Sequence, residues 1–369
     1  MVAQGHSVRV LLWSDSTGST TDGHDVAGVP ATVITHSRPR GLFRLLATLP
    51  LFYGKVLRSL RTDSIDVVHC THIMLLPLAY IAGKRLGASV IYDAYEYYMH
   101  DTRSHLPRAL RWIVTLLGML EDQLVKRIDG VLTVDSADGW LERRYRELNP
   151  MTTVLLNVPD TREPRGSAPT APPRQFGDRP IVVFAGGMSD RKGLHCIVEA
   201  LQEVAREHPD VLALFIGSFH GKARAKLAEE AGQADLQRNI EVIPWLPYDA
   251  LLAQLAIADV ALALYQPVPR YLLLGRGNGR KIFTYMQAGL PIVGPSFGDI
   301  AELILEEDVG LAVDTTDPEA IAAAVLRVLS SPEEARRFGE NGRRAVRDRY
   351  NWATEEAKLL AVYSALEPS

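Results

Sequence analysis

KIFTYMQAGLPIVGPSFGDIAE, residues 281–302, decides how this chain folds. Its first eight residues, through Ala288, read as a helix that stops at Gly289. Glycine takes the positive φ of the position after a helix at least cost, and Pro291 cannot continue the helix. The apolar pair Ile292–Val293 predicts a short buried strand. The small residues of Gly294–Gly298 predict a loop whose backbone N–H groups are free just before another helix, where anions bind well. Helix, strand, loop and helix in close succession are the rhythm of an α/β sheet.

The same alternation runs outward to both ends of the chain. Before the quoted stretch come strand-like runs at 180–184, 211–217, 240–243 and 260–264, with helical runs at 193–204, 223–231 and 248–256 between them. After it come a strand at 310–313, helices at 318–329 and 332–350, and a final segment at 352–366. In the first half, strands are read at 7–13, 64–69, 89–92, 130–134 and 154–156, and helices at 75–84, 108–126 and 138–147. Short apolar or β-branched strands separated by helices call for doubly wound parallel sheets. Residues 158–179 break this pattern, being rich in Pro, Gly, Ser and Thr without apolar periodicity. They predict a linker at 161–179 between a first domain over 1–160 and a second over 180–350. Two such domains place a ligand between them, at the carboxyl ends of the strands.

Bulk properties agree. A chain of 369 residues is longer than one core usually grows, and 47% hydrophobic with 23% charged residues suits a soluble globular protein. The net charge of −4 argues against nucleic acid as a partner. The two cysteines, Cys70 and Cys196, fall in different domains, which speaks against a disulfide framework and for a reducing, cytoplasmic setting. The opening MVAQGHSVRVLL has neither the charged nor the long apolar region of a signal peptide. The run at 45–57 is too short to span a bilayer and is interrupted by Pro50 and Gly54.

A second candidate for chemistry is IVVFAGGMSDRKGL, residues 181–194. A strand runs into Gly186–Gly187, then a polar turn, then Arg191–Lys192–Gly193 at a helix start. Glycines let backbone approach a ligand, and a lysine beside a helix start suits a diphosphate. The plain alternative is a strand–turn–helix corner with solvated basic residues.

With these pieces in order, the chain resembles the retaining glycosyltransferases of family 4, which have the two-domain GT-B fold. GHSVRVL (5–11), DVVHCTH (66–72), VIYDAYE (90–96) and VLLNVPD (154–160) are similar to successive segments of that family's first domain. FAGGMSDRKGL opens its second, and KIFTYMQAGLPIVG is similar to the variant written K-[LI]-F-E-Y-M-A-A-G-x-P-[IV]-V. The resemblance implies a transferase that moves a sugar from a nucleotide diphosphate to an acceptor hydroxyl, without metal or other cofactor. It assigns Lys192, Arg191 and Glu302 to catalysis. It assigns Gly186, Gly187, Gly217, Asn278, Lys281, Thr284, Tyr285 and Gly298 to the donor, and His72, Tyr95 and Glu96 to the acceptor side. It also implies that the closing helix, 351–369, crosses back onto the first domain. The acceptor class stays open among lipid-linked, polysaccharide and small-molecule hydroxyls.

Several positions depart from the family pattern. Two glutamates eight residues apart are replaced by Arg276 and Thr284, an arginine after the strand glycine by Gly187, and a histidine by Tyr95. The family's opening strand and glycine loop precede the segment at 5–11, so the first domain is expected to be incomplete as numbered. These departures keep a second reading open, a catalytically silent sugar-nucleotide-binding or accessory protein. A third, a nucleotide-sugar epimerase, lacks an evident acidic pair. The histidines at 69, 72, 100, 195 and 220 have no metal-ligand spacing, and no Asp-x-Asp pair occurs. The basic, apolar stretch 38–61 is expected to form an acceptor-side helix packed on the core, with peripheral membrane contact as the alternative.

Overall fold

The structure, a computed structural model, describes residues 1–2, 5–15, 21–26, 28–37, 42–60, 64–95, 108–162 and 176–366. In chain order the first elements are β1 (Val10–Ser14), β2 (Thr21–Val26), β3 (Val29–Thr35), α1 (Leu42–Ser59), β4 (Val67–Cys70), α2 (Leu76–Leu86) and β5 (Ser89–Ala94). Next come α3 (Arg111–Val125), β6 (Gly130–Thr133), α4 (Trp140–Leu148), β7 (Thr152–Val154), β8 (Ile181–Ala185), α5 (Leu194–Glu207), β9 (Leu212–Ile216) and α6 (Ala223–Gln233). They are followed by β10 (Ile240–Ile243), α7 (Tyr248–Leu255), β11 (Val260–Leu262), the single turn α8 (Pro269–Leu272), α9 (Arg280–Ala288) and β12 (Ile292–Pro295). The last are α10 (Gly298–Glu306), β13 (Gly310–Val313), α11 (Pro318–Ser330), α12 (Pro332–Asp348) and α13 (Trp352–Ser364).

The chain groups into two compact units. The first holds 1–94, 117–131 and 360–369, and the second holds 95–116 and 132–359. In the first unit, β1 pairs in parallel with β3, which pairs antiparallel with β2, in the order β1-β3-β2. The β2–β3 hairpin falls where the sequence reading placed no strand. The Gly28 N–H donates to Asp25 Oδ1 at 2.7 Å to close its turn, and the β-branched run VPATVIT supplies β3. β4 and β5 are parallel, with Val68 opposite Val90. Phe52 and Val56 of α1 pack with Ile34 of β3 and Leu78 and Ala82 of α2 in one apolar cluster, and Trp13 stacks on Phe52 at 4.4 Å. Helix α1 thus lays its apolar face on the core, as the amphipathic stretch predicted. Its basic Lys55 donates to Thr35 O at 2.8 Å, Arg58 is exposed, and the arginines at 38, 40 and 61 lie outside the described residues. Among the described residues no helix is long and apolar enough to cross a membrane.

The second unit is built on a six-stranded sheet in the order β10-β9-β8-β11-β12-β13, parallel throughout. Strand order reverses between β8 and β11, and at such a switch point the loops leaving the two strands diverge and open a crevice. Both strands are buried along their whole length, which is why they read as continuous apolar runs. Helices α5, α6 and α11 cover one face of the sheet, with Ile197, Leu201, Leu227 and Val325 in that core. Helices α7, α9, α10 and α12 cover the other through Leu255, Phe283, Ile304 and Val346. Gly289 ends α9 at φ +77°, and Leu290 N–H donates to Tyr285 O, so the helix stop read from Gly289 and Pro291 is formed as expected. Most of the expected linker, 163–175, lies outside the described residues.

Candidate functional site

The site begins where β8 ends. Beyond Ala185 the backbone continues as Gly186, whose N–H donates to Ile216 O at 2.8 Å, and Met188, whose N–H donates to Ser218 O at 2.8 Å. The loop after β8 is thereby laced to the loop after β9. Gly217 makes that close approach feasible. It sits at φ +134°, and a β-carbon there would stand 2.3 Å from Gly186 O. Both features exclude every residue but glycine.

Two lysines converge on this backbone. Lys192 lies on the turn after β8, and its Nζ is 3.4 Å from the place a β-carbon on Gly187 would take. Lys281, in the first turn of α9, brings its Nζ within 3.9 Å of the corresponding point on Gly186. Its ammonium also lies over the rings of Phe184, at 3.9 Å, and Tyr265, at 5.5 Å. Neither ammonium has a hydrogen-bond or ion-pair partner among the described residues. Burial lowers the pKa of Lys192, and burial together with the charge of Lys192 holds Lys281 well below the ordinary lysine value. Two half-buried cations held against glycine backbone, with no carboxylate to neutralise them, form a receptor for an anion carrying more than one charge.

The neighbouring residues brace this arrangement through hydrogen bonds between loops. Gln266 donates to Thr315 O at 2.7 Å, its backbone N–H donates to Arg191 O at 3.1 Å, and Thr315 Oγ1 donates to Tyr265 O at 2.6 Å. The loops after β8, β11 and β13 are joined in this way. Arg191 itself is exposed, with its side chain near Tyr271. Tyr285, expected at the donor, is fully buried. Its hydroxyl accepts from Ala185 N at 2.8 Å and donates to Leu262 O at 3.2 Å, so it pins β8 to β11 from beneath.

Other expected residues are also engaged elsewhere. Asn278 donates to Asp135 O, and its Oδ1 accepts from Asn157 at 3.3 Å, so both ends of its amide are used in loop packing. Thr284 Oγ1 donates to the Arg280 carbonyl at 2.9 Å and meets Tyr248, whose hydroxyl donates to Gln287 Oε1 at 2.6 Å. Glu302 is ion-paired with Arg276 at 2.8 Å, and Glu306 pairs with the same guanidinium. Gly298 stands in open space at the start of α10, at φ +64°.

The loop read over Gly294–Gly298 needs correction. Gly294 and Pro295 continue β12, opposite Ala312 and Val313, and Ser296 N–H donates to Val313 O at 2.8 Å. A glycine and a proline looked like a loop, but at the end of a parallel strand they pair with β13. The free N–H groups expected there are therefore not available at 294–296.

Of the residues expected on the acceptor side, His72 accepts at Nδ1 from Met74 N–H at 3.1 Å and caps the turn before α2. Tyr95 is exposed, and Glu96 lies outside the described residues. His69, at the end of β4, was not singled out for this role. Its Nδ1 is 2.7 Å from Tyr363 Oη, and its Nε2 is 3.7 Å from Asp93 Oδ2. Burial, with the nearby Asp93 charge, pushes the Tyr363 phenol up to about 12. Cys70 and Cys196 are free and buried. Among the described residues no cluster of three His, Cys, Asp or Glu side chains is placed to hold a metal.

Comparison with known proteins agrees with this geometry. Residues 171–345 match the sequence profile described as "Glycosyl transferases group 1", and residues 1–156 match "Glycosyl transferase 4-like domain". The GDP-mannose-dependent alpha-(1-6)-phosphatidylinositol monomannoside mannosyltransferase of Mycolicibacterium smegmatis is 31% identical over 197 residues, covering 51% of this chain and 49% of that one. The chain thus spans about half the length of that curated relative. Sucrose-phosphate synthase from Thermosynechococcus elongatus superposes with a TM-score of 0.74 at 18% identity, over 99% of this chain and 90% of that one. Anabaena Alr3699/HepE in complex with UDP-glucose superposes with a TM-score of 0.70 at 15% identity, over 97% and 99%. Between them the two profiles account for most of the sequence, and the chain belongs to the group 1, 4-like glycosyltransferases, with two Rossmann-like domains of the GT-B fold.

Proposed function

We propose that this chain transfers a sugar, with retention at the anomeric carbon, from a nucleotide-diphosphate sugar to an acceptor hydroxyl. The observation that carries the proposal is the pair of unpaired ammonium groups, Lys192 and Lys281, set against Gly186–Gly187 at the switch point of the parallel sheet. A diphosphate neutralises both charges. As the bond to the sugar breaks, charge grows on the leaving phosphate, and fixed N–H donors already in place stabilise it without reorganising. The phosphate released on the same face is basic enough to take the acceptor's proton, so no separate carboxylate is needed, and neither is a metal. The names of two similar proteins support the donor class, one GDP-mannose-dependent and one bound to UDP-glucose. The mannosyltransferase is named for a lipid acceptor, which favours a lipid-linked hydroxyl among the acceptor classes. The two unpaired, buried cysteines accord with a cytoplasmic setting, where thiols stay reduced.

Thermal unfolding with UDP, GDP, dTDP and ADP tests the donor site. A ligand held only by the folded chain adds about 2.7 kcal/mol at a hundredfold excess over Kd, enough for a clear rise in Tm. The expected result is a shift with one base, lost in Lys192→Ala, whose own Tm without nucleotide stays near wild type. Turnover of the matching nucleotide-sugar should fall with it. A Lys192→Ala protein that still binds and turns over normally overturns the assignment.

A further inference from the structure

A third nitrogen group reaches the Gly186–Gly187 backbone, and it comes from a different strand. His220 follows Gly217 by three residues on the loop after β9. Its backbone N–H donates to Met188 O at 3.1 Å, while Met188 N–H donates to Ser218 O at 2.8 Å. These two bonds fix the origin of the side chain against the donor loop. A β-carbon at Gly187 would stand 2.7 Å from His220 Nε2 and 3.3 Å from Cδ2, with Lys192 Nζ at 3.4 Å. Imidazole and ammonium therefore share the space that any larger residue at 187 would fill. The His220 side chain is exposed, and its ring has no hydrogen-bond partner among the described residues. Asp190, on the turn before Lys192, is already paired with Lys226 at 3.1 Å.

We propose that His220 Nε2 donates a hydrogen bond directly to the diphosphate of the sugar donor, which makes it a catalytic residue. The proposal rests on the reading of Lys192 and Lys281 as the diphosphate site. In the transfer, the bond from the anomeric carbon to the terminal phosphate oxygen breaks, and its electron pair stays on that oxygen. The acceptor oxygen bonds the carbon, and its proton passes to the released diphosphate. An N–H group aimed at the phosphate strengthens its bond as charge accumulates there, so it lowers the barrier as well as holding the ground state. The exposed ring gives a further reason for the choice. It has no packing role that would otherwise account for its place over Gly187.

The test is calorimetric titration of the wild type, His220→Ala, His220→Gln and Lys192→Ala with UDP, GDP, dTDP and ADP, and with the matching monophosphates. For the base that binds, His220→Ala should weaken the diphosphate about ten- to a hundredfold, as loss of one hydrogen bond to a charged group does. The monophosphate should bind as before, and the Tm without ligand should not move. His220→Gln, which keeps an N–H donor, should recover part of the loss. Unchanged diphosphate affinity in His220→Ala, alongside lost affinity in Lys192→Ala, overturns the role of His220 alone. Equal losses for mono- and diphosphate also overturn it, since they make the ring a wall of the nucleotide site. A wild type that binds none of the four diphosphates, or a Lys192→Ala protein that binds as well as wild type, overturns the diphosphate reading beneath it.

Discussion

Two glycines one loop apart show how differently single residues serve this site. A β-carbon at Gly217 would meet backbone, Gly186 O at 2.3 Å, and the position is at φ +134°. Nothing nearby yields cheaply, so Gly217→Ala should lower stability by about 3 kcal/mol or more and force the β8 and β9 loops apart. At Gly187 the nearest atoms are the far ends of His220 and Lys192, both free to swing away. Gly187→Ala should therefore stay within about 0.5 kcal/mol of wild type in stability. It should nevertheless weaken nucleoside diphosphate binding, because the methyl group moves the donors aside. Urea unfolding and titration of the two variants separate the cases. Equal destabilisation by both would show that the two positions are not distinguished by what their β-carbons meet.

At the scale of elements, the tie between β8 and β11 is made by α9 through Tyr285, whose hydroxyl bonds Ala185 N and Leu262 O. Tyr285→Phe leaves the Ala185 N–H, at the root of the donor loop, without its partner. The expected loss is about 1–3 kcal/mol in urea unfolding, accompanied by weaker donor binding. A phenylalanine variant as stable as wild type would mean the hydroxyl contributes nothing. The helix carrying this tyrosine was legible in the sequence because its signals are local: apolar spacing, then Gly289, then Pro291. Tyr285 itself was read as a donor residue, and its neighbours in sequence gave no sign that β8 and β11 close over it. The end of β12 was misread for a similar reason. Gly294 and Pro295 have loop chemistry, and only β13 makes them strand. The β2–β3 hairpin went unread although VPATVIT is strongly β-branched, because Gly28 and Pro30 punctuate it. Lys192 and Lys281 were legible from their motifs. His220 was not, because its place over Gly187 depends on two loops brought together from residues about thirty apart.

For the whole molecule, the chain carries a net charge of −4, yet Lys192 and Lys281 converge without a carboxylate partner beside Gly186–Gly187, and this couples stability to pH. In the folded chain, burial and then the charge of Lys192 hold the Lys281 ammonium well below its ordinary value. Unfolding returns it to about 10.4. Between those values the unfolded chain binds a proton that the folded chain has released. Stability therefore rises with pH across that window, and the full penalty is present below the folded value. Lys281→Met removes the penalty while keeping the apolar stem over Phe184 and Tyr265. It should be more stable than wild type below the unfolded value, with the difference narrowing as pH climbs from the lowered folded value toward about 10.4. Other titrating groups are common to both proteins and largely cancel in that difference. Urea midpoints measured at several pH values provide the comparison, and a difference that stays constant or widens would overturn the linkage. The same variant should lose nucleoside diphosphate binding. In the wild type, a bound diphosphate restores the ordinary preference of Lys281 for its proton. At pH above the folded value, where Lys281 has released its proton before ligand arrives, binding should draw a proton from solution, seen as an apparent enthalpy that changes with the ionisation enthalpy of the buffer. Stability gained and affinity lost in one substitution would identify Lys281 as a charge kept in the fold for its ligand.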